Sequence, residues 1–300
     1  MKQDVYQSIT DRIVTAIEEG KTVPWQKPWR SSGGMPVSLS TGRPYRGINV
    51  LLLALSGYDD PRFGTYKAIG DAGGQVRKGE KATQIVLWKT VPRKPGPGDE
   101  EPGNYWLMRF FSVFNARQAD GLPELEEEEQ RVFTPIQLAE KVVGGYVFDP
   151  GSANPGPPVM YGYDRAAYSA SLDSVTMPEP QQFDSDESFY TTLFHELVHS
   201  TGHEKRLARI EPALFGTDPY AKEELVAEIG ASFLAGMAGF EDAGGDQSAA
   251  YVAGWLKPLS GDPKFVVQAA AQAQKAADAI IRDSFDVNES AIADREVVGA

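Results

Sequence analysis

All three histidines of this 300-residue chain fall within nine consecutive positions, as His195, His199 and His203 of FHELVHSTGHEKRL. The segment leading into them, DSDESFYTTLFHELVHS, carries the signals of a helix start. Asp184 or the adjacent Ser185 can cap the first backbone N–H groups, and Glu187 stands three after Asp184 as in a capping box. On that helix His195 and His199 are one turn apart, so both rings project from one face. The spacing suits two imidazole ligands of a single zinc ion at about 2.0–2.1 Å. Glu196 then points beside the ion, placed as a general base for a bound water, whose pKa must fall near 7 for attack at neutral pH. His-Glu-x-x-His on a helix is a zinc-protease signature. Ligand type favours Zn2+, with Mn2+ or another divalent ion as the alternative.

The third ligand is open to three residues. His203 on a straight helix lies about 12 Å along the axis from His195, too far for one ion unless Gly202 ends the helix and lets the chain turn back. The metzincin pattern places its third histidine two positions later, where this chain has Lys205. A glutamate from the next helix is the other solution. DPYAKEELVAEIGASFLAGM supplies Glu224 and Glu228 four apart on an apolar stretch, with Ala227 allowing close packing. The preferred arrangement has Glu224 as ligand and Glu228 orienting a histidine, because ligating imidazoles need an acceptor behind them; Glu228 and His203 are the alternative ligands. Tyr220 and Tyr251 are phenols that could stabilise an oxyanion, but both read better as core residues. AAYSASLDSVTMP, just upstream, reads as a hairpin strand along which an extended peptide could add, or as a plain structural hairpin.

Charge divides the chain. Residues 1–118 carry 17 Lys and Arg against 11 Asp and Glu, residues 119–300 carry 12 against 31, and the whole has a net charge of −13. Such asymmetry suggests two jobs on one chain. The sign changes near NARQADGLPELEEEEQRVFTP, where Glu126 to Glu129 repel one another as a solvated linker does. The domains expected are therefore 1–120, an acidic linker 121–131, and 132–300. The fold class expected is α+β: a small α+β domain, then a mostly helical domain, with a short antiparallel sheet, that carries the zincin-like motif. Within it TQIVLWK and YWLMRFFSVF read as a hairpin joined by the Pro/Gly-rich VPRKPGPGDEEPG. PKFVVQAAAQAQKAADAIIRDSF reads as one long helix. The chain has no cysteine, which excludes disulfides and thiolate chemistry. Its longest apolar run, INVLLLAL, is too short to cross a bilayer. A cytoplasmic protein with no membrane partner is the simplest expectation.

The basic half interleaves rings and cations. TVPWQKPWR holds Trp25, Lys27, Trp29 and Arg30; STGRPYRGINVLLL holds Arg43, Tyr45, Arg46 and Asn49; GGQVRKGEK holds Arg77, Lys78 and Lys81. Aromatic faces beside cations are what single-stranded nucleic acid requires. The same tryptophans and Tyr45 would serve equally as core or lid residues, with the cations an ordinary wet surface.

In their order, PWQKPW, TGRPYRGINVLLL, GGQVRKGEKATQIVLWK, FSVFNARQADGLP, YSASLDSVTMP, FYTTLFHELVHSTGHEKRL and KEELVAEIGASFL resemble the ArdC-type antirestriction proteins of plasmids and phages. The resemblance implies an N-terminal single-stranded-DNA-binding domain joined to a C-terminal zincin-like metallopeptidase domain. It implies binding of incoming single-stranded DNA and its protection from the recipient's restriction system in the cytoplasm; the leading expectation is a DNA-bound zinc metalloprotease that cleaves or blocks a host restriction-system protein. It carries over His195, Glu196 and His199, and a glutamate of EELVAE without settling which. The rival expectation is a non-catalytic protein that coats single-stranded DNA and keeps a structural metal site.

Overall fold

The computed structural model describes residues 4–19, 35–92, 104–124, 135–148, 150, 155–210, 218–240 and 249–281. Trp25, Lys27, Trp29, Arg30 and the run Glu126 to Glu129 lie outside the described residues. By its internal contacts the chain forms two compact units, residues 1–131 with 240–271, and 132–239 with 272–300.

In the first unit, Asp4 caps helix α1 (Val5–Glu18) by accepting from the N–H of Tyr6 at 3.0 Å. Ile9, Ile13 and Ile17 recur at helical spacing and are buried. The face packs on α7 (Ala249–Gly261), and the Thr10 hydroxyl donates to the carbonyl of Pro263 at 2.9 Å. A four-stranded sheet follows in the order β1-β2-β5-β4, built from Val37–Ser38, Arg62–Gly64, Asn104–Asn115 and Thr83–Pro92 respectively. The β1–β2 pair is parallel and the others are antiparallel. Helix α2 (Ile48–Ala54) is apolar almost all round, so it lies buried against β4. Leu53 of α2 meets Phe63, Ile85 and Val113 of the sheet in one core cluster, with Tyr45 and Tyr58 packed against it. Helix α3 (Tyr66–Asp71) and the two-stranded pair β3 (Gln75–Val76) with β6 (Ala119–Asp120) complete the α+β part.

The second unit is mostly helical. Helices α4 (Pro135–Tyr146), α5 (Asp186–Thr201) and α6 (Asp218–Ala238) pack together, and a small sheet of order β7-β9-β8 lies against α5. In that sheet β8 (Ala167–Ser169) and β9 (Ser174–Thr176) form an antiparallel hairpin within AAYSASLDSVTMP, and β7 (Val159–Met160) joins β9 in parallel, so no hairpin turns at Asp164-Arg165 as the sequence suggested. Helix α6 buries Leu225, Val226, Ala227, Ile229, Phe233 and Leu234, which fits a helix enclosed on most sides. One glycine sets its distance from α5. A Cβ on Gly230 would stand 2.8 Å from Val198 Cγ2, so the two backbones meet where no larger residue fits. The long alanine-rich helix is α8 (Phe265–Ile281), whose Ala269, Ala270, Ala273, Ala276 and Ala277 are buried.

Candidate metal centre

Helix α5 begins at Ser185, whose Oγ accepts from the N–H of Ser188 at 3.1 Å while Ser188 Oγ accepts in return from the N–H of Ser185. The reciprocal box therefore uses Ser188 where the sequence suggested Glu187. Further along the same helix, the Nε2 atoms of His195 and His199 stand 3.1 Å apart. Two nitrogens at about 2.0–2.1 Å from one tetrahedral ion are separated by about 3.3 Å, so the pair is set for a shared ion with a shift of tenths of an ångström. Helix α6 contributes Glu224, with Oε2 3.7 Å from His195 Nε2 and Oε1 3.7 Å from His199 Nε2. The potential ligand atoms of His195, His199 and Glu224 all lie within 4.8 Å of one another.

The acceptor behind the histidines is Glu223. Its Oε1 lies 3.1 Å from His199 Nδ1, which leaves Nε2 as the metal-facing nitrogen. Arg209 holds that carboxylate from the other side, donating from Nε to Oε2 at 2.9 Å and from Nη2 to Oε1 at 2.8 Å. The same guanidinium reaches Thr201 Oγ1 at 2.7 Å and the carbonyl of Val198 at 2.6 Å, capping the end of α5. Burial pushes the Glu223 carboxyl up, but its bonds to His199 and Arg209 outweigh that and hold it below the usual range. Glu224 behaves likewise: burial raises it, while His195, His199 and Tyr220 bring it below its ordinary value. For His195 burial favours the neutral ring, yet the bond to Glu224 and the charges of Glu196 and Glu228 hold its pKa above the ordinary value. Glu228, expected to orient a histidine, raises the His195 pKa by its charge, and Glu223 supplies the bond to His199.

Glu196 is buried and accepts the backbone N–H of Tyr168, on β8, at 2.7 Å. Behind that strand is a clamp. The Tyr168 hydroxyl donates to Asp173 Oδ1 at 2.9 Å, and Arg206 binds Asp173, Tyr168 Oη and the carbonyl of Ser200. Burial raises the Asp173 carboxyl, but Arg206 and Tyr168 overcome this and hold it below its usual value. His203 sits on this side: α5 ends at Thr201, and the ring accepts the N–H of Lys205 at Nδ1, 3.2 Å away, with Asp173 Oδ2 at 3.8 Å. The structure does not bring His203 to the other two histidines, because the chain turns at Gly202 away from their face. Tyr220 is half-buried and bonds Glu224, and burial with that neighbouring charge pushes its phenol up to about 12; it is not a core residue.

Comparison with known proteins covers nearly the whole chain. Residues 3–114 match the model of the N-terminal domain of anti-restriction factor ArdC, and residues 152–272 match that of a zincin-like metallopeptidase. The crystal structure of the antirestriction ArdC protein from the R388 plasmid in its metal-free form superposes with a TM-score of 0.75 at 36% identity, covering 94% of this chain and 98% of that one. The chain belongs to the ArdC family of antirestriction proteins. The Mn(II)-bound form of the same ArdC protein gives a TM-score of 0.72, covering 95% of this chain and 99% of that one. Protein y4eC of Sinorhizobium fredii is 32% identical over 92% of this chain and 91% of its own length. The DNA primase TraC of Escherichia coli is 38% identical over 94% of this chain, which spans only 27% of the primase.

In this ArdC-family chain the basic candidates divide into two groups. Arg43, Arg46, Lys78 and Lys81 are exposed. Asn49, Tyr45 and Arg77 make contacts within the fold. Asn49 donates from Nδ2 to the carbonyl of Val86 and accepts the N–H of Val86 at Oδ1, both at 2.8 Å, so its amide closes the outer edge of β4 as a neighbouring strand would. The Tyr45 ring packs on the core cluster, its hydroxyl donates to the carbonyl of Phe63 at 3.4 Å, and burial pushes its pKa up to about 12. Arg77 pairs with Glu80 at 2.9 Å and Asp120 at 3.3 Å, which offsets its charge. Nucleic-acid contact is the expectation for all three; Asn49 and Tyr45 also bond within the fold, and Arg77 keeps an exposed guanidinium beside its two partners.

The sequence reading missed Glu223, Arg209, Asp173 and Arg206. A signal existed for one of them. Glu223 adjoins Glu224 in EELVAE, and adjacent carboxylates at the ligand position invite the question of which does what. Arg209, Asp173 and Arg206 carry no local mark of their roles.

Proposed function

We propose that this chain binds single-stranded DNA through its N-terminal half and protects that DNA from restriction by covering it. The metal centre then holds the ends of α5 and α6 together and takes no part in bond cleavage. The observation that carries this reading is the match, along almost the full chain, to an ArdC structure in both its metal-free and its Mn(II)-bound form. A single fold that stands with and without the ion fits a centre that braces locally. His195, His199 and Glu224 form the ligand set, Glu223 with Arg209 sets the orientation of His199, and the ion is divalent. Two imidazoles suit Zn2+, and the carboxylate extends the choice to Mn2+. Arg43, Arg46, Lys78 and Lys81, with Trp25, Lys27, Trp29 and Arg30, supply the cations and rings for the strand. The functional halves are residues 1–120 and 132–300, and the site of action is the cytoplasm; among the described residues no helix is long and apolar enough to cross a membrane.

A second reading, hydrolysis of a host restriction-system protein, is favoured by one observation: Glu196, next to His195, is fixed by the Tyr168 N–H at 2.7 Å. A divalent ion at this site would supply an acidified water. Glu196 would take the proton of that water and pass it to the leaving amine, and the Tyr168 N–H would keep the carboxylate in place throughout.

The two readings part in one experiment. Plasmid establishment in a restricting recipient is measured for wild type, Glu196→Gln and a Trp25→Ala/Arg46→Ala double variant at matched expression. Glutamine still accepts the Tyr168 N–H, so the site keeps its shape. Protection retained by Glu196→Gln and lost by the double variant supports covering. Protection lost by Glu196→Gln and kept by the double variant overturns it in favour of hydrolysis.

A further inference from the structure

Strands β4 and β5, of 10 and 12 residues, hold six aromatic residues, two cations and no carboxylate. They do so in a chain whose net charge is −13. Their ladder pairs Thr83 with Val113, Ile85 with Phe111 and Leu87 with Arg109, and the twofold alternation of strands puts these six on one face. At the inner end Ile85 and Val113 belong to the core cluster. Further along, the same face opens: Leu87 is 45% and Phe111 41% exposed, and Arg109 is exposed opposite Leu87. Directly paired side chains stand about 5 Å apart and diagonal ones about 7–8 Å. A ring, a branched aliphatic chain and a guanidinium therefore form one continuous patch.

We propose that this strand face is a base-stacking platform for single-stranded DNA, with one base on Phe111 and Leu87 and Arg109 on the adjoining phosphate. The proposal rests on the single-strand-binding reading above and adds to it a place that the basic motifs do not include. Charge complementarity selects the occupant. A polyanion is repelled by most of this acidic chain and meets no carboxylate on either strand here. A duplex keeps its base faces stacked inside, whereas a single strand offers them to the ring, and every base has such a face.

The test is fluorescence anisotropy of an end-labelled oligothymidylate titrated with the full chain across a range of salt concentrations. Phe111→Leu keeps an apolar side chain and removes the ring; affinity should weaken about tenfold with the salt slope unchanged. Arg109→Ala should make the slope of log K against log salt shallower by about 0.7, the share of one phosphate on a single strand. Phe111→Tyr and Arg109→Lys should restore the affinity and the slope respectively, which a purely structural role would not predict. Leu87→Glu, at a half-exposed position that tolerates the change, should weaken binding by charge repulsion. If wild type binds while Phe111→Leu, Arg109→Ala and Leu87→Glu all bind with its affinity and slope, the platform is refuted and single-strand binding stands. If wild type does not bind, the single-strand reading itself fails and the platform with it.

Discussion

Replacing Glu223 with glutamine tests the architecture of the metal centre most directly. The carboxylate accepts from His199 Nδ1 at 3.1 Å and is held by two bonds from Arg209 at 2.9 and 2.8 Å. Glutamine keeps the shape and loses the charge. A hydrogen bond to a charged partner contributes about 1.5–3 kcal/mol and a neutral one about 0.5–1.5, so the His199 contact weakens by about 1–2 kcal/mol. Expressed through the ligand it orients, that corresponds to a loss of metal affinity of about 5- to 30-fold. The assay is calorimetric titration of Mn2+ and of Zn2+ into protein stripped with chelator, at pH 7. Glu224→Gln, which removes a ligand outright, should lose more than Glu223→Gln. Glu228→Gln, which removes a charge that acts on His195, should lose less than Glu223→Gln, whose carboxylate bonds His199 directly. If Glu228→Gln costs more than Glu223→Gln, or Glu223→Gln binds as wild type does, the assignment of the orienting carboxylate is wrong.

Three further outcomes follow from particular contacts. Gly230→Ala places a methyl 2.8 Å from Val198 Cγ2 and should destabilise the protein by about 1–3 kcal/mol, read from urea unfolding; a neutral result would mean that α5 and α6 can move apart freely. Asn49→Leu removes the amide that satisfies both backbone groups of Val86 and should cost about 1–3 kcal/mol. In a single-strand titration the same variant should leave the salt slope unchanged, whereas a shallower slope would return Asn49 to the nucleic-acid surface. Asp173→Asn tests the clamp by its pH dependence. The folded carboxyl lies below its ordinary value, so its stabilisation is present above the unfolded pKa of about 3.9 and is lost as pH falls through the folded one. The stability gap between wild type and Asp173→Asn should be full at pH 6 and close in strong acid; a gap that widens on acidification would contradict this sign.

Much of the metal site was legible because its first two ligands are local. His195 and His199 lie on one helix, and the 3.6-residue repeat alone sets their rings on a common face. The β4–β5 hairpin and the long alanine-rich α8 were likewise readable from strand alternation, turn residues and helix propensity. Asn49 was not. Its neighbours are arginine, glycine and apolar residues of a short helix, and nothing in that string says that a β-strand edge will arrive beside it. The contacts of Tyr45 and Arg77 were not legible for the same reason, since whether a ring packs on a core and whether a cation is paired depends on residues distant in sequence.

The amino-acid sequence by itself determined the helix of α5, the facing pair of imidazoles with Glu196 beside them, the charge division and the family. Tertiary structure alone decided that Glu224 faces the Nε2 atoms of both histidines while Glu223 bonds His199 Nδ1. Glu223 and Glu224 differ by one residue, about 100° around the helix, and both carry the same chemistry. What separates their roles is the seating of α6 on α5, where Gly230 meets Val198 and Arg209 returns from beyond the end of α5 to hold Glu223 against His199. A local repeat can place two groups on one helix, but the rotation of a second helix against it is set only by packing between the two.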